Sequence, residues 1–116
     1  MTGRALPEQA VAAMRDAFAG EVATRLPGMQ SAACEILASG AIPAARTLSS
    51  HAHTLASSAA VLGELVVSLH ARHCEALLVP FCADGGGSVP RSVAADCAYD
   101  VEAMALLLAP WLGGTS

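Results

Sequence analysis

At 116 residues the chain is sized for one domain (1–116, helical core about 7–112), able to bury roughly two thirds of its unfolded surface in a single core. Ala and Leu are abundant and aromatics are limited to one Trp, one Tyr and two Phe, so residues that lose little side-chain freedom in a helix point to an all-α fold. A formal charge of −4 with only six Lys plus Arg excludes the clustered basic surface of a phosphate-backbone binder, and no nucleic acid is expected.

No uninterrupted apolar run reaches the ~18–20 residues of a membrane span. The best candidate, residues 104–112, is short and interrupted by Pro110. The opening MTGRALPEQ lacks the apolar core of a secretory signal. Cys34, Cys74, Cys82 and Cys97 show no C-x-x-C spacing and lie in apolar, helix-like surroundings, as buried reduced thiols do. The expectation is a cytoplasmic chain without a membrane partner. The initial Met and short tails suggest that it is free-standing.

In chain order, Pro7 followed by EQAVAAMRDAF reads as a helix start, with Val11, Met14, Phe18 and Val22 at core spacing. Pro27-Gly28 breaks or kinks the path. Met29, Ala33, Ile36 and Leu37 continue the apolar face until the stop at Ser39-Gly40. Residues 7–39 are thus one kinked helix or, in the reading adopted, a short N-terminal helix and a longer one. Pro43 opens the next helix, whose stripe is Ala45, Leu48, Ala52, Leu55, Ala59 and Leu62. Gly63 supplies a turn or cap. A helix over 64–78 follows, with Val66, Val67, His70, Cys74 and Leu77 inward and Glu64, Ser68, Arg72 and Glu75 on a polar face.

Pro80 ends or bends that helix. Residues 83–88, with Gly85–Gly87, form a flexible linker, and without a following Lys-Ser/Thr these glycines make no phosphate loop. The last helix opens near 88–90 and aligns Val93, Cys97, Val101, Met104, Leu108 and Trp111. Pro110 and Gly113-Gly114 close it, and the tail 113–116 frays. The sum is an antiparallel four-helix bundle with a short additional N-terminal helix.

All four histidines fall between Arg46 and Glu75. At 100° per residue, His53 points away from the Ala45–Leu62 stripe and shares its face with Ser49, Ala56, Ser57 and Ala60. Small neighbours leave a histidine open to another molecule. His51 points nearer the core flank. From His53 to Gly63 the helix rises ~15 Å, and from Gly63 to Glu75 ~18 Å. The difference is under one turn, so Glu75 sits level with His53 on the neighbouring helix. A carboxylate on Nδ1–H fixes the tautomer, leaves Nε2 as a nucleophile and stabilises the cation formed on its modification. His70 and His73 read as partly buried, hydrogen-bonded structural residues. A metal- or haem-binding bundle using His51, His70 and His73 is the remaining alternative, for which no fourth ligand is evident.

The run Ala52-His53-Thr54-Leu55, then Ser57-Ser58-Ala59, Leu62-Gly63 and Glu75, resembles the histidine-containing phosphotransfer (HPt) domain of bacterial phosphorelays. That family shows Ala-His-x-Leu-Lys-Gly-Ser-(Ser/Ala), a Gly ten residues after the His and often a Glu about twelve further on. Phe18, Glu21, Leu26 and the Leu37–Gly40 helix end extend the likeness over most of 18–78.

The resemblance implies that His53 accepts a phosphoryl group from an aspartyl phosphate on a receiver domain, or from a kinase, and passes it to another response regulator. By it, Glu75 orients His53, and Ser49, Ala56, Ser57, Ala60 and Ser68 make the docking face. It implies a monomeric carrier rather than an enzyme. The partners are a receiver domain and a sensor or hybrid histidine kinase. The bundle holds no cofactor or metal, and the receiver supplies Mg²⁺. Two positions depart from the pattern: Ala56 stands where the Lys is usual, and Ser57 where the Gly is. Arg72, one turn before Glu75, is the candidate to supply the missing charge. A bundle that binds receivers without transferring is the alternative that the absent Lys favours.

Overall fold

The computed structural model describes residues 7–83 and 87–113. The linker readings at Gly85 and Gly86, the opening MTGRAL segment and the tail from 114 onward lie outside the described residues. Among the described residues four helices follow in order: α1 (Glu8–Ser39), α2 (Ile42–Val61), α3 (Leu65–Cys82) and α4 (Arg91–Leu112). Each packs on its chain neighbours and α1 closes the ring against α4, with neither diagonal pair of helices in contact among the described residues. The connections between α1, α2 and α3 are two and three residues long, too short for anything but antiparallel neighbours.

The separate N-terminal helix of the sequence reading is corrected, because α1 is one unbroken helix of 32 residues with Pro27 inside it. Proline removes the hydrogen bond to the carbonyl four residues back, at Ala23. Pro27 and Ala23 are both exposed, so water can take that carbonyl, and the helix continues on both sides. Being much longer than its neighbours, α1 overhangs at its N-terminal end. Val11, expected in the core, is therefore exposed, and burial begins at Phe18.

The core is made of Val22, Leu26, Met29 and Ile36 from α1, the Ala45–Ala59 stripe of α2, Val67, Ala71, Cys74 and Leu78 from α3, and Cys97, Val101, Met104 and Leu108 from α4. On α3 the inward face is rotated from expectation. Val66 is exposed and Ser68 is buried, with its hydroxyl donating to the Ala56 carbonyl at 2.9 Å. The polar Ser68 finds an acceptor on α2, which lets that side of α3 close against it.

The turn between α1 and α2 depends on Gly40, which has φ 69° and donates to the Ile36 carbonyl. Val89 donates to the Gly40 carbonyl, and a Cβ at position 40 would lie 2.8 Å from the Val89 carbonyl oxygen. Between α2 and α3, Gly63 (φ 78°) and Glu64 donate to the Ala60 and Ala59 carbonyls, closing the helix end in the manner of a Schellman turn.

Over 18 residues of mean hydropathy 1.2, α3 has the length and composition of a membrane span, which uninterrupted apolar runs did not reveal. Its Leu65, Val66, Leu69 and Val79 are exposed. All four cysteines are free thiols. Cys74 and Cys97 are buried, whereas Cys34 is exposed, contrary to expectation. The Cys74 thiol is pushed up from its usual range by a hydrogen bond with Cys97 and then by burial, so it stays protonated.

Candidate functional site

Hydrogen bonds cross-link the α2–α3 hairpin at three levels, and the first two of them share one antiparallel register. Arg46 Nε donates to the Cys82 carbonyl at 3.1 Å, His53 Nδ1 lies 2.9 Å from Glu75 Oε2, and Ser68 bonds Ala56. The step of seven residues from Arg46 to His53 on α2 is matched by seven from Cys82 to Glu75 on α3. Arg46 and His53 therefore share a face, two helical turns or ~10.5 Å apart.

Between them lies an open depression of about 300 Å³ lined by Arg46, Ser49, Ser50, His53, Glu75 and Cys82. The His53 side chain is 70% exposed and that of Glu75 27%. An ionised carboxylate only accepts, so Nδ1–H donates to Glu75. In the neutral ring this puts the free lone pair on Nε2.

The sequence-derived docking face is only partly present. Ser49 is half-buried in the depression, Ser57 is exposed with its hydroxyl donating to the His53 carbonyl, and Ala60 is half-buried. Two assignments are corrected. Ala56 is 1% exposed and Ser68 4%, because they meet each other across the α2–α3 interface, so neither presents a surface to a partner. Position 56, where the phosphotransfer pattern has its lysine, is sealed. Arg72 is exposed but does not line the depression, and it makes no hydrogen bond or ion pair among the described residues. The cation that lines the depression is Arg46. Its signal was available in the seven-residue spacing to His53, which keeps two residues on one helical face.

The other histidines are held differently. His51 Nδ1 lies 3.0 Å from an Arg25 guanidinium nitrogen on α1. Arginine only donates, so this Nδ1 accepts and the ring proton sits on Nε2, the opposite tautomer to His53. Burial first, and the Arg25 charge second, lower the His51 pKa from its ordinary value. His70 and His73 both bond Asp100 of α4, at 2.8 and 2.6 Å.

Asp100 is 2% exposed and was missed from the sequence. Its three- and four-residue steps from Cys97 and to Met104 mark a carboxylate on the inward stripe, which is the pattern that betrays it. His51 thus faces α1 while His70 and His73 face α4, so the three-histidine metal site does not assemble. Among the described residues no group of three or more His, Cys, Asp or Glu is arranged to hold a metal. Neither a protein-family model, nor a curated protein, nor a solved structure matches the chain.

Proposed function

We propose that the chain is a histidine-containing phosphotransfer module of a phosphorelay, with His53 as the phosphoryl acceptor. One observation carries this reading: a largely exposed imidazole whose Nδ1–H is held by Glu75, so that Nε2 is the free nucleophile. Nε2 attacks the phosphorus of an aspartyl phosphate presented by a receiver domain. The N–P bond forms as the P–O bond to the aspartyl oxygen breaks, and the carboxylate leaves with the bonding pair. The imidazole ring gains positive charge beside the Glu75 carboxylate. The reverse sequence hands the group to a second receiver.

Mg²⁺ and the acidic pocket belong to the receiver, so the bundle contributes positioning of one nucleophile and no cofactor of its own. It is a carrier without kinase activity, monomeric and cytoplasmic, fed by a sensor or hybrid histidine kinase. Ser49, Ser57 and Ala60 belong to the docking face. Arg46, in the same depression as His53, supports neutralisation of the phosphoryl charge. The test is incubation with phosphorylated receiver domains. Acid-labile, alkali-stable phosphate is expected on the wild type and none on His53→Gln. Label persisting on that variant refutes the assignment.

A second reading, a bundle that docks receivers without accepting phosphate, is favoured by one observation: the sealed Ala56 at the position of the family's lysine. It predicts receiver binding by the wild type with no phosphate gained from any receiver.

A further inference from the structure

On the opposite flank of α3 from Glu75, the chain repeats the arrangement found at His53. Asp100 Oδ2 holds His73 Nδ1 at 2.6 Å and Oδ1 holds His70 Nδ1 at 2.8 Å. Both oxygens of this carboxylate accept, so both rings donate Nδ1–H and carry their lone pairs on Nε2. The two rings differ in access. The His70 side chain is 26% exposed and its ring lies edge-on to Tyr99, whereas the His73 side chain is 59% exposed, close to the value for His53. Their orienting carboxylates differ too. The Asp100 side chain is 3% exposed and fixed by two donors, while Glu75 has one.

The geometry points to His73 as a second phosphoryl-acceptor site, taking its group from donors of the phosphoramidate class, in which phosphorus is bound to nitrogen. Asp100 is its positioning residue, and His70 occupies the other carboxylate oxygen so that Oδ2 stays on His73. In the transfer, His73 Nε2 attacks phosphorus and the new N–P bond forms as the donor's P–N bond breaks. The donor nitrogen, already protonated, leaves with the bonding pair as the neutral amine, which is ammonia when the donor is phosphoramidate itself. The ring retains Nδ1–H and becomes a cation whose charge lies against the Asp100 carboxylate. No further reactant is required.

His53 opens into the α2–α3 depression and His73 onto the α3–α4 side, with α3 between them. A partner seated over one leaves the other uncovered. No cation is hydrogen-bonded to His70, His73 or Asp100 among the described residues, so His73 is expected to react more slowly than His53, which has Arg46 in its depression. His51 is an internal control, because its Nε2 carries the proton and lies against Gly28.

The experiment treats wild type, His53→Gln, His73→Gln and the double variant with potassium phosphoramidate, and locates the label by phosphopeptide mapping and ³¹P NMR. His53→Gln should keep acid-labile phosphate on His73 Nε2, and the double variant should fall about tenfold or more below it. Asp100→Asn should slow labelling of His73 about tenfold at unchanged far-UV circular dichroism. His70→Gln, which leaves the carboxylate in place, provides a milder check with a smaller slowing. An unlabelled His53→Gln, label spread equally over His51 and His73, or phosphate on His73 Nδ1 each overturn the proposal. Label on His73 with none on His53 would leave this inference standing and remove the relay reading instead.

Discussion

Gly28 of α1 lies directly under the ring of His51 of α2, so close that a Cβ on residue 28 would be 3.0 Å from Nε2. A glycine in a helix interior costs about 1 kcal/mol relative to alanine, and here its absence of a side chain makes room for the imidazole. Gly28→Ala should therefore gain less stability in the wild type than in a His51→Ala background. The difference expected in urea denaturation is about 0.5 kcal/mol or more, the size of coupling between residues in contact. Equal gains in the two backgrounds would mean that the ring gives way freely.

The same packing makes His51 a source of pH dependence. Its folded pKa lies below the ordinary 6.5, through burial and then through Arg25. Between those two values the unfolded chain binds a proton at residue 51 that the folded chain refuses, so stability rises with pH across the window. The contribution is whole above 6.5 and is lost as pH falls from 6.5 toward the folded value. Comparing urea midpoints over about pH 5–7.5 should show a larger acid loss for wild type than for His51→Gln. Parallel curves would contradict the shift.

Two glycines of left-handed backbone separate strain from crowding. Gly63 has φ 78° with nothing within 4 Å of a would-be Cβ, so Gly63→Ala should cost only the conformational penalty of about 1–2 kcal/mol. Gly40 has φ 69°, and its would-be Cβ would lie 2.8 Å from the Val89 carbonyl oxygen. Gly40→Ala should cost clearly more, because the Val89 backbone must move and its hydrogen bond to Gly40 loosens. Chemical denaturation of the two variants ranks them. A Gly63 variant as damaged as the Gly40 variant would rule this explanation out.

What the sequence disclosed follows the physics of helix faces. The stripe from Ala45 to Ala59 was legible because five apolar residues at three- and four-residue steps leave one solution for the buried side, and the His53–Glu75 pair followed from rise per residue and a glycine turn. The errors lie where a single helix cannot say what stands opposite. Ala56 and Ser68 sit at the edges of their stripes, and only the other helix decides that each is covered. Asp100 was hidden because its partners, His70 and His73, are on another helix. Pro27 was over-read, since an exposed proline interrupts one hydrogen bond without ending a long helix.

At the candidate site, Glu75→Gln keeps the size of the side chain and removes its charge. The phosphorylated ring then loses the opposite charge beside Nδ1–H, and the amide no longer enforces a single tautomer. Transfer from a phosphorylated receiver to His53 should slow by up to about tenfold, the scale of one partly solvated charge-assisted hydrogen bond. Receiver affinity should change little. Quenched-flow measurement of phosphoryl uptake, with binding measured separately, distinguishes these effects. Undiminished uptake would reduce Glu75 to a packing residue.

The two arginines near the site give opposite expectations. Arg46 lines the depression with His53 and keeps its terminal guanidinium nitrogens available while Nε is anchored on the Cys82 carbonyl. A planar guanidinium donating two parallel hydrogen bonds suits phosphoryl oxygens. Arg72 is exposed and outside the residues lining that depression. Arg46→Ala should slow uptake on His53 several-fold and shorten the lifetime of the phosphohistidine. Arg46→Lys should recover part of the rate, since it restores charge without the fork. Arg72→Ala should transfer at nearly the wild-type rate. Because Arg46 also ties α2 to the end of α3, its variants need thermal melts alongside the kinetics. A loss of stability without a change in phosphohistidine lifetime would make Arg46 a strut between helices, and a slow Arg72→Ala would return the charge to that residue.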